Sequence, residues 1–220
     1  MPDNLMLLSK RTITAGLEAR IRLRYNQPMH TSLLQLKNDV ESCQNCPLWQ
    51  TRTHTVFGEG SKTAVVMFVG EGPGRDEDAL GRPFVGRAGQ LLDKMILSIG
   101  FTRNDVYIAN VIKCRPPGNR DPLPEEAKAC IGFLRGQVKI IKPRIIVCLG
   151  RVSSEYILGK DVKIMRDRGV WHEVKGFSIM PTYHPAALLR NEHLKKDAYK
   201  DLLAIKERYE LVYGKHSSQP

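Results

Sequence analysis

The chain has 220 residues, 42% of them hydrophobic, enough for one α/β domain with a real core. No stretch approaches the eighteen or more apolar residues of a membrane span, so a soluble protein is expected. Lys and Arg number 34 against 23 Asp and Glu, and the net charge of +11 favours polyanionic partners, nucleic acid before an anionic membrane surface.

Residues 1–28 carry Arg11, Arg20, Arg22 and Arg24 without a firm apolar period. They are expected to form a flexible or weakly helical extension, with the organised domain over 29–213 and a disordered tail over 214–220. Leu33, Leu34, Leu36 and Val40 predict a short helix leading into Cys43. Four apolar runs then predict buried strands: 63–70 (TAVVMFVG), 106–112 (VYIANVI), 144–150 (RIIVCLG) and 177–183 (FSIMPTY). Runs that are apolar on both faces indicate parallel strands covered on both sides. Helical patterns fall between and after them, at 88–99, 125–141 with Pro124 at the first turn, 153–158 and about 193–212. The alternation predicts a three-layer α/β/α sandwich around a mostly parallel four-stranded sheet with right-handed crossovers.

Five cysteines punctuate this pattern. With no secretory signal in the sequence, they are expected to be reduced thiols. Cys43 and Cys46 form a C-x-x-C pair beside Pro47, while Cys114 and Cys130 form a second, wide pair downstream. Four thiolates suit either a tetrahedral zinc or an iron–sulfur cube, and the wide second pair, poorly shaped for a zinc knuckle, favours the cube. Cys148, inside RIIVCLG, reads as an ordinary core residue.

Three loops leave the carboxyl ends of predicted strands, where open parallel sheets bind ligands. The first runs GEGPGRDED from Gly70 to Asp78 and on to GRPFVGRAG from Gly81 to Gly89. Its glycines let backbone N–H groups approach a ligand, but Asp76, Glu77 and Asp78 would repel a pyrophosphate, so a dinucleotide site is a poor fit. The second is NVIKCRPPGNR, from Asn110 to Arg120. Asn110 falls in a buried strand, where its amide serves either a structural hydrogen bond or recognition of a planar imide edge such as that of uracil. The third is YHPAALLR, where His184 is held stiffly by Pro185.

Together GEGPGRDEDALGRPFVGRAGQLL, NVIKCRPPGNRDP and YHPAALLRN resemble the signature stretches of the family 4 uracil-DNA glycosylases, the iron–sulfur branch of that superfamily. The resemblance runs from about residue 32 to residue 209 and includes the cysteine spacing. It implies a [4Fe–4S] cluster on Cys43, Cys46, Cys114 and Cys130. It also implies a DNA-repair hydrolase that flips uracil out of DNA and cleaves its N-glycosidic bond, leaving an abasic site in base-excision repair. In that frame Phe84 stacks on the flipped base, and Asn110 pairs with uracil O4 and N3–H. His184 donates to uracil O2, assisted by backbone around Gly70, Glu71 and Gly72. Where the best-known branch has a water-positioning aspartate this chain has Gly72, which leaves Glu71 as the candidate for that role. Glu77 matches a position proposed to crowd the pyrimidine 5-position and exclude thymine. Leu188 is a candidate wedge for the gap left in the duplex, and Arg82, Arg87, Arg115, Arg120 and Arg190 are candidate phosphate contacts.

The expected partner is uracil-containing DNA, single- or double-stranded, met by a monomer in the bacterial or archaeal cytoplasm, with a sliding clamp or other repair proteins as further partners and no membrane. Competing readings are a non-catalytic iron–sulfur nucleic-acid-binding module, a glycosylase for another deaminated base, and a relative that traps its product on a loop histidine. The joint presence of Phe84, Asn110 and His184 opposes the first. The last is opposed by the run from Arg120 through Asp121 to Pro124, which holds no histidine.

Overall fold

The computed structural model of the chain describes residues 32–214. The expected extension over 1–28 and the tail beyond Gly214 lie outside the described residues. Six strands form one sheet in the order β1-β3-β2-β4-β6-β5. The four central ones are β2 (Val66–Gly70), β3 (Tyr107–Asn110), β4 (Ile145–Leu149) and β6 (Phe177–Thr182), all parallel. They are the four predicted strands, each trimmed at one or both ends. Two short antiparallel strands extend the sheet, β1 (Glu59–Gly60) beside β3 and β5 (His172–Val174) beside β6. Runs of two and three partly exposed residues carry too few side chains to show a period, which is why they escape a sequence reading.

Successive strand side chains point to opposite faces, and the two cores follow that alternation. Met67, Val69, Ala109, Ile146, Cys148 and Ile179 pack on one face, Val66, Phe68, Ile108, Val147, Leu149 and Met180 on the other. The first face is covered by α1 (Leu33–Glu41) and α4 (Pro124–Ile141). Ser32 caps α1 by accepting the Gln35 amide at 3.2 Å, and Leu36 and Val40, four residues apart, form its buried stripe. Helix α4 begins at Pro124 and is fastened by Glu126, which accepts the Leu123 amide at 2.8 Å. The second face is covered by α3 (Arg87–Leu97) and α8 (Lys195–Gly214), whose Leu92, Ile96, Leu202 and Ile205 are buried there.

Short helices α2 (Arg75–Leu80), α5 (Arg151–Leu158), α6 (Ile164–Asp167) and α7 (Pro185–Arg190) complete the fold. Helix α2 occupies the acidic stretch read as loop: Asp76, Glu77 and Asp78 sit in its first turn, where the helix dipole favours negative charge. After β2 the chain turns to β3 on one side and later to β4 on the other. The crevice between β2 and β4 is therefore a topological switch point, the expected seat of a ligand.

Candidate active site and thiol cavity

A cleft of about 550 Å³ opens at those carboxyl ends. Its wall takes Glu71 and Gly72 from the loop after β2, Asn110 from the end of β3, Gly150 and Arg151 after β4, and His184 after β6. All three motif loops thus converge on one place. A slightly larger depression near Glu59, Arg82 and Pro83 includes neither Asn110 nor His184.

Asn110 is 1% exposed, and its Oδ1 is one of two buried side-chain polar atoms that lack a hydrogen-bond partner among the described residues; the other lies on the edge strand β5. A buried amide oxygen without a partner is costly, about 1–3 kcal/mol, unless a ligand completes it. The β2–β3 register sets Gly70 beside Asn110. A Cβ at Gly70 would stand 2.5 Å from Asn110 Oδ1 and 2.6 Å from Phe84 Cζ, so only glycine lets that ring and that amide meet here. Phe84 itself is 6% exposed, holds a left-handed φ of 51°, and lies 5.6 Å from the His184 ring, centroid to centroid.

His184 stands immediately before α7 and accepts the Ala186 amide on Nδ1 at 3.1 Å. That bond assigns the ring proton of a neutral imidazole to Nε2. Burial, reinforced by the Arg190 charge, lowers its pKa to about 4, so at neutral pH His184 is an uncharged N–H donor in the cleft.

The carboxylates differ sharply. Burial raises the Glu71 pKa to about 7, with Asp121 pushing the same way and Arg151 opposing. Glu77 is fully engaged: Oε1 accepts the Val85 and Gly86 amides, both at 2.9 Å, and Oε2 accepts the Gly74 amide at 3.1 Å. It therefore staples the loop that carries Phe84, although it also lines the cleft. At Gly72 a Cβ would come within 2.7 Å of Ile112 Cγ1, which leaves no room for an aspartate.

The candidate DNA contacts separate in the same way. Arg87 and Arg190 are exposed and have no ion-pair partner among the described residues, and Arg190 lines the cleft. Arg115 donates to Asn119 at 2.7 Å. Arg120 forms a bidentate pair with buried Glu126, and Arg82 one with Glu59, so both guanidinium groups are already occupied by carboxylates. Leu188 requires correction: it is 1% exposed and packs in the second core, because its position on α7 turns it toward the sheet. The neighbouring Leu189, 37% exposed, is the apolar side chain that faces outward.

Away from the cleft, Cys43, Cys46, Cys114 and Cys130 line one cavity, whereas Cys148 is buried in the sheet. Among the described residues no three His, Cys, Asp or Glu side chains lie close enough to share a single ion. Four thiols set around a common space are a donor set that either a tetrahedral zinc or a multi-iron cluster uses. Arg52 Nη1 lies 3.3 Å from Cys114 Sγ and the Lys113 amide 3.2 Å from Cys130 Sγ, both as donors to sulfur. Burial raises Cys130 to about 12 and moves Cys114 and Cys46 upward too, so ionised sulfurs here call for a cationic core.

Several residues of the site escaped the sequence reading. Arg103 donates to the Phe84 and Pro83 carbonyls, Arg151 pairs with Asp121 at 2.8 Å on the cleft wall, and Lys113 is buried on the wall of the thiol cavity. None sits in a motif position whose spacing reveals these partners; long-range folding alone brings them in.

A family model for the uracil DNA glycosylase superfamily matches residues 57–204. The chain is 48% identical over 205 residues to the type-4 uracil-DNA glycosylase of Sulfurisphaera tokodaii, spanning 85% of this chain and 93% of that one. It is 45% identical over 184 residues to that of Archaeoglobus fulgidus, spanning 80% and 92%. It is 51% identical over 156 residues to that of Thermotoga maritima, spanning 69% and 80%.

Proposed function

The chain belongs to the uracil DNA glycosylase superfamily, in its type-4 branch, and from that premise we propose how its residues divide the work of removing uracil from DNA. The enzyme is a repair glycosylase acting on uracil-containing DNA. A base inside a duplex must be flipped out before its glycosidic bond is reached, and the cleft between β2 and β4 receives it. The observation that carries this reading is the unpartnered Asn110 Oδ1 buried beside Phe84. Uracil offers O4 as acceptor and N3–H as donor, which match the two halves of the amide. Cytosine presents an amino group and a bare N3, leaving both mismatched, a difference worth orders of magnitude in a closed site.

When the N1–C1′ bond breaks, its electron pair leaves with uracil and spreads onto O2 and O4. His184 Nε2–H donates to O2 and stabilises that anion without transferring its proton. A neutral, buried donor suits this task, since an imidazolium would protonate the leaving group. Water then adds to C1′ and releases a proton to solvent, giving free uracil and an abasic site. We assign the orienting of that water to Glu71, because Glu77 is committed to three amides, Gly72 has no side chain, and Asp121, also on the cleft wall, is paired with Arg151.

The four cavity cysteines would hold a [4Fe–4S] cluster. Hydrolysis moves no electrons, so the cluster when bound supplies a cross-link between the segment after α1, the loop after β3 and α4. Arg87 and Arg190 meet phosphates, and affinity falls with salt accordingly.

Competition by free bases against a uracil-containing oligonucleotide tests the base assignment. Uracil inhibits the wild type and cytosine does not, while Asn110→Ala loses the uracil inhibition. Equal inhibition by uracil in both proteins overturns the reading.

A further inference from the structure

We propose that Lys113 is a positioning residue for base recognition, fixing the end of β3 that carries Asn110 and tying it to the thiol-lined segment. The proposal rests on the reading of Asn110 as the uracil-binding amide. Lys113 is 1% exposed, and lysines are almost never this buried without partners. Its Nζ donates to the Asn110 carbonyl at 2.8 Å and to Gln137 Oε1 at 2.7 Å. Gln137 is itself 0% exposed and anchored, donating from Nε2 to the Phe57 carbonyl at 2.8 Å and to Tyr107 Oη at 3.2 Å.

The sheet explains why such a strut is needed. The Val111 amide turns inward to the Gly70 carbonyl, so the Asn110 carbonyl faces the opposite edge of β3. On that edge β1 pairs only with Tyr107 and Ile108 and ends before it reaches Asn110. The lysine side chain supplies the donor that a neighbouring strand would have supplied.

The main chain of the same residue faces the cysteines. Lys113 N donates to Cys130 Sγ at 3.2 Å, Lys113 O accepts the Val56 amide at 2.8 Å, and Cys114 follows directly. Lys113 lines the thiol cavity and not the substrate cleft, so it acts on the base only through Asn110. An error of about 1 Å in a substrate-positioning group can cost about a hundredfold in rate.

Lys113→Met keeps an unbranched side chain, one atom shorter, and removes its donors. Four quantities are compared with the wild type: iron per chain with visible absorption, affinity for abasic-site DNA, inhibition by free uracil, and kcat/KM on a uracil oligonucleotide. Iron content and abasic-DNA affinity are expected to stay within about twofold, while uracil inhibition weakens about tenfold or more and kcat/KM falls in step. A merely structural role would not move uracil affinity apart from abasic-DNA affinity. Wild-type uracil inhibition in iron-replete Lys113→Met, alongside its loss in Asn110→Ala, overturns this proposal alone. Retention of that inhibition in Asn110→Ala overturns the underlying reading with it. If Lys113→Met is recovered without iron, Lys113→Gln is measured by the same criteria. Loss of iron from both overturns the proposal, because the lysine would then serve the cluster and not the strand.

Discussion

Arg103 grips the backbone of Phe84: its Nη2 donates to the Phe84 carbonyl at 2.7 Å and to the Pro83 carbonyl at 3.0 Å. Phe84 is one of four non-glycine residues with positive φ among the described ones, a conformation that costs about 1–3 kcal/mol. The guanidinium, held in turn by Asp93 at 2.7 Å and Glu59 at 3.1 Å, keeps that residue where its ring meets the cleft. Arg103→Ala is expected to lower kcat/KM for uracil excision by about tenfold or more through weaker base binding. Steady-state kinetics paired with free-uracil inhibition check this, and unchanged values would remove Arg103 from the site.

Glu71 gives the enzyme a pH signature. Its folded pKa of about 7 lies above the ordinary 4.5, so folding favours the protonated form. If the carboxylate orients water, wild-type activity rises as pH rises through about 7, while Glu71→Gln is slow and flat across that range. Stability runs the other way. The cost of the buried charge is absent below about 4.5 and develops as pH rises through about 7. Glu71→Gln is therefore expected to melt higher than wild type at pH 8, the advantage fading toward pH 4.5. Matched pH–rate and pH–Tm series on the two proteins test both limbs.

Restoring an aspartate at residue 72 is expected to fail. The Gly72 Cβ would press on Ile112 Cγ1 at 2.7 Å and Cδ1 at 2.8 Å, and Ile112 is 0% exposed and cannot yield cheaply. Gly72→Asp should lower Tm by several degrees, an overpacking cost of about 1–3 kcal/mol, and should leave a Glu71→Gln background unrescued. Recovery of activity in the double variant would show that water can be served from residue 72 after all.

Cys114→Ser is expected to lose the brown colour, the visible absorption and much of the soluble yield, because it removes one of the four proposed ligands and metal binding of this kind couples to folding. Iron assay and absorption spectroscopy decide this. A colourless wild-type protein holding one zinc per chain would replace the cluster with the alternative that the cysteine spacing also allowed.

What could be read from the sequence follows from what leaves a local trace. The four parallel strands announced themselves as β-branched runs, and Asn110 and His184 stood at their carboxyl ends, where a switch-point cleft had to form. Helix α2 was hidden because its acidic first turn reads as a polar loop, and β1 and β5 because two or three residues show no period. Lys113 is the sharpest miss. A lysine between Ile112 and Cys114 suggests an exposed turn, and only Gln137, 24 residues away, reveals it as core. Leu188 failed as a wedge for a related reason, since one step along α7 separates a buried leucine from an exposed one.

Excision from oligonucleotides carrying uracil, thymine or cytosine at one position, by wild type and His184→Ala, tests the central chemistry most directly. Wild type is expected to release uracil alone. His184→Ala should be slower by about 10²–10³, the usual cost of losing an oxyanion donor, while binding uracil DNA within a few-fold of wild type and showing no new pH limb near 6.5. Full-speed excision by His184→Ala, or release of thymine or cytosine at the uracil rate by wild type, would contradict a site in which Asn110 reads the base and His184 carries its leaving charge.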